Sequence, residues 1–306
     1  MKPVLASTTD PTAGRTRARV DPRLVASLAA VYLIWSSTYL AMRVLVRDVP
    51  PLIAASVRFS AAGLVLMIIA LRRGGAWPPL RTWASVVPIG ALLCLGGNGF
   101  ISIAQQSVTS GGAAVVASSM PLWIGVLGIV TGERPTRREW LSLAIGFAGI
   151  SVLMGGPSLA GKPEHIAILI ASPMCWALGS ILARRLRGPL GADMFMLPAV
   201  EMITGGLVLA TVAAARGERF PVDAGLHVYA LLAYLCIFGS VIGFTAYTWL
   251  LRNARPVVAT SYAYVNPVLA VLLGAALSGE PLGATTLIAS ALMVSAIWLV
   301  LRRARA

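Results

Sequence analysis

The sequence is a succession of long apolar runs separated by short charged connections. Ten runs can be drawn, over residues 24–42, 52–71, 83–105, 111–131, 140–154, 166–183, 194–214, 228–251, 257–277 and 282–301. A helix needs roughly 20 apolar residues to cross about 30 Å of hydrocarbon. The fifth run is short and is expected to continue toward Gly156. Lipid offers no partner to a bare peptide group, so such runs can be accommodated only as helices. Charged residues make up 12% of the chain, about half the share of a soluble domain. The expected fold is therefore an all-α integral membrane protein of ten transmembrane helices.

The net charge of +14 does not mark a nucleic-acid binder. Its basic residues are scattered in small groups between the apolar runs instead of gathering on one arm or domain, the pattern of positive-inside topology. Arginine outnumbers lysine 23 to 2, which we read as genome composition. With the N-terminus in the cytoplasm, the inner side receives Lys2, Arg15, Arg17, Arg19, Arg23, Arg72, Arg73, Arg81, Arg134, Arg137, Arg138, Arg184, Arg185, Arg187, Arg252, Arg255, Arg302, Arg303 and Arg305, which is 19 residues. The outer side receives Arg43, Arg47, Lys162, Arg216 and Arg219, which is 5. That split predicts both termini in the cytoplasm of a bacterial inner membrane. Residues 1–23 lack the apolar core of a signal peptide and read as a cytoplasmic tail, as do residues 302–306.

The two halves, 24–156 and 165–301, echo one another at an offset near 144. Trp35 to Arg43 corresponds to Trp176 to Arg184, and Gly99-Phe100 to Gly243-Phe244. VVAS at Val115 corresponds to VVAT at Val257, Pro121 to Pro267, and Gly132-Glu133 to Gly279-Glu280. Five spans per half is an odd number, so the second half must enter the membrane from the opposite side. Inverted repeats are a recurring device of secondary transporters, with the solute held near the midplane between the halves.

The strings VYLIWSSTYLAMR, GGNGFISIAQQSVTSGGAAVVASSMPLW, TGERPTRREWLSLAIGFAGISVLMGG and VNPVLAVLLGAALSGEP resemble the EamA family of the drug/metabolite transporter superfamily. The resemblance extends over residues 24–301. It implies that helices 1–4 and 6–9 surround a central cavity, that helices 5 and 10 lie outside it, and that the activity is export by alternating access. Two positions depart from the pattern of the family's exporters: Gln105 stands where glutamate is common and Glu201 where glutamine is common.

Polar residues concentrate on single faces of particular helices. Helix 1 carries Tyr32, Ser36, Tyr39 and Arg43; helix 3 carries Asn98, Ser102 and Gln105; helix 4 carries Ser119 and Trp123. Helix 6 carries Ser172, Trp176 and Ser180, helix 8 Ser240 and Tyr247, and helix 9 Tyr262 and Asn266. Such groups must meet protein, water or solute. Two readings stay open, a solute cavity or ordinary interhelical hydrogen bonds. Trp35, Trp123 and Trp176 lie deep in their spans, away from the interfacial belt, and can either wall a cavity or pack a core. Pro121 and Pro267 are expected to kink helices 4 and 9 in mid-span.

Two ionisable residues lie inside spans, Arg58 in helix 2 and Glu201 in helix 7, 143 positions apart. Intramembrane charges are functional by default. Mirrored depths, roughly 10 Å apart at 1.5 Å per residue, make them an unlikely ion pair. Arg58 reads equally as a solute contact or as a structural arginine, and Glu201 as a proton site or as a neutral hydrogen-bonding group.

Other chemistries lack their residues. Cys94, Cys175 and Cys236 lie singly in apolar runs, and His165 and His227 sit at span ends, so no metal spacing exists and no cofactor is called for. Glu133 and Glu280 each lie between a glycine and a proline at a helix junction, where a carboxylate suits a helix N-terminus. Residues 156–162, GPSLAGK, imitate a phosphate loop, but Pro163 stands where the hydroxyl belongs. A membrane enzyme would want paired carboxylates or a metal cluster. A phosphate-ester or nucleotide-sugar exchanger would want two or more cations in the cavity. The charge-poor faces favour a neutral, zwitterionic or amphipathic solute, moved by a gradient of ions such as protons. The sequence does not fix the oligomeric state.

Overall fold

The computed structural model describes residues 21–130, 136–154, 161–186, 194–278 and 283–301. Residues 1–20 of the N-terminal tail, residues 302–306, Glu133 and Glu280 with their flanking prolines, and most of the GPSLAGK string lie outside the described residues, while α1 already begins at Pro22. Among the described residues every regular element is helical. The helices are α1 Pro22–Leu45, α2 Pro51–Arg72, α3 Leu80–Ala104, α4 Ser110–Ala117, α5 Met120–Val130 and α6 Arg137–Met154. They continue with α7 Pro163–Arg185, α8 Met196–Ala215, α9 Leu226–Asn253, α10 Pro256–Ala259, α11 Tyr262–Ser278 and α12 Ala284–Leu301. Six of them, α1, α2, α3, α7, α8 and α9, are long and apolar enough to cross a membrane, and shorter apolar helices occupy Trp140–Gly149 and Tyr262–Leu277.

Local chemistry explains the helix ends. Asp21 caps α1 by accepting from Arg23 N at 2.8 Å, with Pro22 at the first helical position, where its missing N–H is harmless. α2 ends at Gly74 (φ 88°), whose N–H reaches Leu71 O while Gly75 N reaches Ala70 O, both at 3.0 Å. This left-handed glycine closure satisfies the last carbonyls. α8 ends the same way 143 positions later: Gly217 (φ 71°) donates to Ala214 O and Glu218 to Ala213 O. Glu218 then turns its Oε2 to the N–H groups of Leu52 and Ile53, at 2.9 and 3.0 Å. One carboxylate thus serves the exposed donors at the start of α2.

The fourth and ninth runs differ from the continuous spans expected of them. Each is two helices, α4–α5 and α10–α11, parted at Ser118–Ser119 and Thr260–Ser261. The cause is local. Ser118 and Ser119 bond back to the carbonyls of Val115 and Val116, and Ser261 bonds to Val258 O at 2.7 Å. A hydroxyl that takes a nearby carbonyl offers the backbone an alternative to continuing the helix. Pro121 consequently sits in the first turn of α5 and not in mid-helix, whereas Pro267 lies inside α11.

A second irregularity recurs at the same spacing. Within α3, Ala91–Gly99 winds as a π-helix, and within α9, Leu235–Ile242 does so. Wide turns of this kind loosen the carbonyl ladder and concentrate at functional sites.

The packing runs mainly between the halves. α2 lies along α8, α6 along α12, and α1 along α9 and α11, while the π stretch of α3 packs on α7 and α8. Small residues let α2 and α8 approach closely. A Cβ on Gly63 would fall 2.7 Å from Ile203 Cγ1, and one on Gly206 would strike the Ser60 hydroxyl. Positions 60 and 63 stand 143 residues before 203 and 206, so the two contacts are reciprocal between the halves. α6 and α12 form a peripheral pair joined by Ser142 Oγ donating to Ala296 O at 2.9 Å. Trp140, Phe147, Ile288 and Trp298 face outward from them.

Candidate functional site: a central cavity under two crossed tryptophans

A cavity of about 50 Å³ lies at the centre of the bundle. Its lining comes from α1 (Trp35, Thr38, Tyr39, Met42), α2 (Arg58) and α3 (Asn98, Ile101). Met120 of α5, with Ala117 before it, Trp176 of α7 with Ser172 and Pro173, Phe244 of α9 and Tyr262 of α11 complete it. One water needs roughly 10–15 Å³ on this measure, so the space admits a few waters. A larger occupant must part the side chains.

The side chains most in the way are aromatic. Trp35 and Trp176 meet edge to face, with ring centroids 5.5 Å apart at 85°. Tyr262 stands against Trp35 at 4.9 Å, and Phe244 contacts both tryptophans at 5.8 and 5.6 Å. Each tryptophan packs at the π stretch of the other half, Trp176 within it and Trp35 at its C-terminal edge. The Trp176 ring presses on Gly97, where a Cβ would overlap Cε3, and the Trp35 indole presses in the same way on Gly243. Trp35 Nε1 donates to Gly239 O at 3.0 Å, and Ser172 Oγ, from the same helix as Trp176, donates to Gly97 O at 2.8 Å. The carbonyls loosened by each π turn are thus taken by side chains from the opposite half.

Arg58 is the sole charged residue in this lining among the described residues. It is 4% exposed. Its Nε donates to Ser240 Oγ at 2.8 Å, one terminal nitrogen lies 3.4 Å from Met42 Sδ, and the guanidinium carbon stands 4.7 Å from the centre of the Phe59 ring. It takes part in no ion pair among the described residues.

The sequence-derived candidates divide into three groups. Trp35, Tyr39, Arg58, Asn98, Trp176 and Tyr262 line the cavity. A second group joins helices. Ser36 bonds to Tyr32 O and meets Asn266, whose amide nitrogen is best satisfied facing Tyr32 O (3.3 Å), Tyr262 O (3.1 Å) and the Ser36 hydroxyl (3.2 Å). Tyr32 OH meets Ser261 Oγ at 2.7 Å, so α1 is tied to the break before α11. Gln105 donates to Tyr39 O at 2.9 Å while its own carbonyl accepts from Arg43, and its Oε1 is buried without a partner. Ser102 bonds to Asn98 O, and Ser180 to Tyr247 OH at 2.8 Å. Ser119 belongs to the helix break, and Trp123 packs against the core beside it. The bonds of Tyr32, Ser36, Gln105, Ser180 and Asn266 cross between helices, whereas Ser102 and Ser119 bond to carbonyls four and three residues back.

Glu201 stands apart. It lines a second, smaller pocket with Arg184, Arg252, Tyr247 and Phe244, is 2% exposed, and has an Oε1 with no hydrogen-bond partner. α8 contributes nothing to the central lining; Phe244 lies between the two pockets and borders both. Thr38, Met42, Met120 and Phe244 were not among the sequence candidates. Thr38 and Met42 follow Trp35 and Tyr39 at three-residue steps, and Phe244 precedes Tyr247 by three, so helical spacing alone could have found them.

Comparison with known proteins adds the following. The sequence model of the EamA-like transporter family matches residues 24–155 and again 164–302, one match to each half. The "Uncharacterized inner membrane transporter YedA" of Escherichia coli K12 is 41% identical over 278 residues, 90% of each chain. "Protein PecM" of Dickeya dadantii is 27% identical over 269 residues, 85% of this chain and 88% of that one. A crystal structure of another protein, 22% identical, superposes with a TM-score of 0.72 over 92% of this chain and 99% of its own. At that identity the likeness speaks for the fold alone.

Proposed function

Because the chain belongs to the EamA-like transporter family, we propose that it is a secondary transporter exporting a small organic solute by alternating access through the central cavity. The observation that carries this reading is the exchange of contacts between the halves. Trp35 and Trp176, equivalent in the repeat, meet over the cavity, each pressed on a glycine of the opposite half, Gly97 within one π stretch and Gly243 directly after the other. A movement of one half against the other must therefore displace both rings. Equivalent left-handed glycines, π stretches and helix breaks support two five-helix repeats related by an in-plane two-fold axis. With both termini in the cytoplasm, as the arginine distribution favours, ten crossings would place the halves in opposite senses. Glu201, buried with an unbonded carboxyl oxygen in a small pocket that Arg184 and Arg252 also line, is the candidate for proton coupling. A phosphate-ester exchanger fits less well, since a single cation lines the cavity.

The test is concentrative flux. A metabolite and toxicity screen of overexpressing against deletion cells identifies a transported solute. That solute is then loaded against the protein in proteoliposomes. Accumulation beyond equilibrium under an imposed proton gradient supports the reading. Flux that stops at equal concentrations, with or without the gradient, makes the protein a channel.

A further inference from the structure

We propose that the central cavity selects an organic monoanion with a flat aromatic body, an arylcarboxylate, its carboxylate held by Arg58 and its ring taken between Trp35, Trp176, Phe244 and Tyr262. The inference rests on the transporter reading and names the substrate class of that same cavity.

The first observation is an under-used cation. A guanidinium carries five N–H donors in a planar fork that matches a carboxylate. Arg58 gives one to Ser240 and directs another at a thioether sulfur, which is a weak acceptor. The remaining donors have no carboxylate within salt-bridge distance among the described residues, although the side chain is 4% exposed and borders the cavity. An intramembrane charge left this way is costly unless something else meets it. Gly239 holds the guanidinium close: a Cβ there would lie 3.0 Å from its terminal nitrogen.

The second observation is the aromatic wall. Four rings from four helices converge here, with Trp176, Phe244 and Tyr262 each within 6 Å of Trp35, so a planar guest can exchange ring–ring contacts with them as it displaces them. The third is what the lining omits. Among the described residues it contains no carboxylate, so a primary ammonium would find hydroxyls, one amide and aromatic faces but no opposite charge. It contains one cation, so a phosphate dianion would be half neutralised. The cavity thus favours one negative charge and penalises both an amine and a second negative charge. An exported monoanion also gains from an inside-negative potential, by about 50-fold in its distribution per 100 mV.

The experiment uses the full chain in nanodiscs, with tryptophan fluorescence and thermal shift as readouts of binding. Probes are benzoate, benzamide, benzylamine and phenyl phosphate. Wild-type protein should bind benzoate at least about tenfold more tightly than the other three. Arg58→Gln should lose the preference for benzoate over benzamide while still binding benzamide, and Arg58→Lys should restore part of it. If benzoate is not preferred by the wild type, or if none of the four binds, the proposal is wrong whatever the variants do. An unchanged preference in a folded Arg58→Gln protein also overturns it. Binding in nanodiscs involves no gradient, so failure here leaves concentrative flux of another solute, and with it the transporter reading, standing.

Discussion

Gly97→Ala tests how tightly the two halves are locked. The new Cβ would overlap Trp176 Cε3 and lie 3.1 Å from Cζ3 and 3.4 Å from Cδ2. Trp35 and Phe244 flank the indole at centroid distances of 5.5 and 5.6 Å and restrict its retreat to the small cavity it lines. Either α3 or α7 must give, and overpacking of this kind costs about 1–3 kcal/mol. Set against it, alanine relieves the disorder glycine brings to a helix, worth roughly 0.5–1 kcal/mol. The net expectation is a loss of about 1–2 kcal/mol. Trp176→Phe removes the clashing edge of the indole, so the double variant should be less destabilised than the sum of the singles by about 1 kcal/mol or more. Reversible denaturation of the four proteins in detergent closes this double-mutant cycle. Additivity within about 0.5 kcal/mol would refute the contact as the source of the effect. A neutral Gly97→Ala would refute the close approach itself.

Three further outcomes are expected. Glu218→Ala should lower stability by about 0.5–2 kcal/mol, the usual range for a lost helix cap, and Glu218→Gln by less, because one acceptor remains for Leu52 N and Ile53 N; a thermal melt unchanged by both would show the cap to be idle. Reporter fusions after Arg305 and near Gly161 should report opposite sides of the membrane, and a C-terminus outside would remove the inverted topology. Glu201→Gln keeps shape and bonding but carries no proton, so gradient-driven export should collapse while solute binding persists; export at the normal rate with normal pH dependence would make Glu201 structural.

The apolar runs made the helices legible in the sequence because an unbroken apolar stretch of about 20 residues can satisfy its backbone in hydrocarbon only as a helix, barrel strands being short and alternating. The polar faces were legible only in part. On α1 the face through Tyr32, Ser36, Tyr39 and Arg43 is shared between two tasks, since Tyr32 and Ser36 turn to α11 while the lining shifts to Trp35, Thr38, Tyr39 and Met42. Polarity marks a side chain that needs a partner and does not say whether the partner is solute or helix. Met42, Met120 and Phe244 escaped because apolar lining looks like core. The π stretches left no mark beyond their glycines, and the breaks at Ser118 and Ser261 depend on where a hydroxyl turns, which composition does not record.

The interleaving of the halves also sets a timetable for synthesis. Arg58 meets its hydroxyl partner only at Ser240, 182 residues later in the chain, and the Trp35 indole waits longer still, 204 residues, for the carbonyl of Gly239. At roughly 5–20 residues per second of translation, the first half must stand in the bilayer for about 10–40 s with its guanidinium and indole N–H unmet by the groups that will hold them, and the carbonyl of Gly97 waits 75 residues for Ser172. During that interval lipid headgroups, water or the insertion machinery must stand in for the missing half. The nascent protein is therefore most vulnerable to degradation when it is half made, and a chain interrupted near residue 154 should be cleared quickly from the membrane instead of accumulating as a stable five-helix fragment.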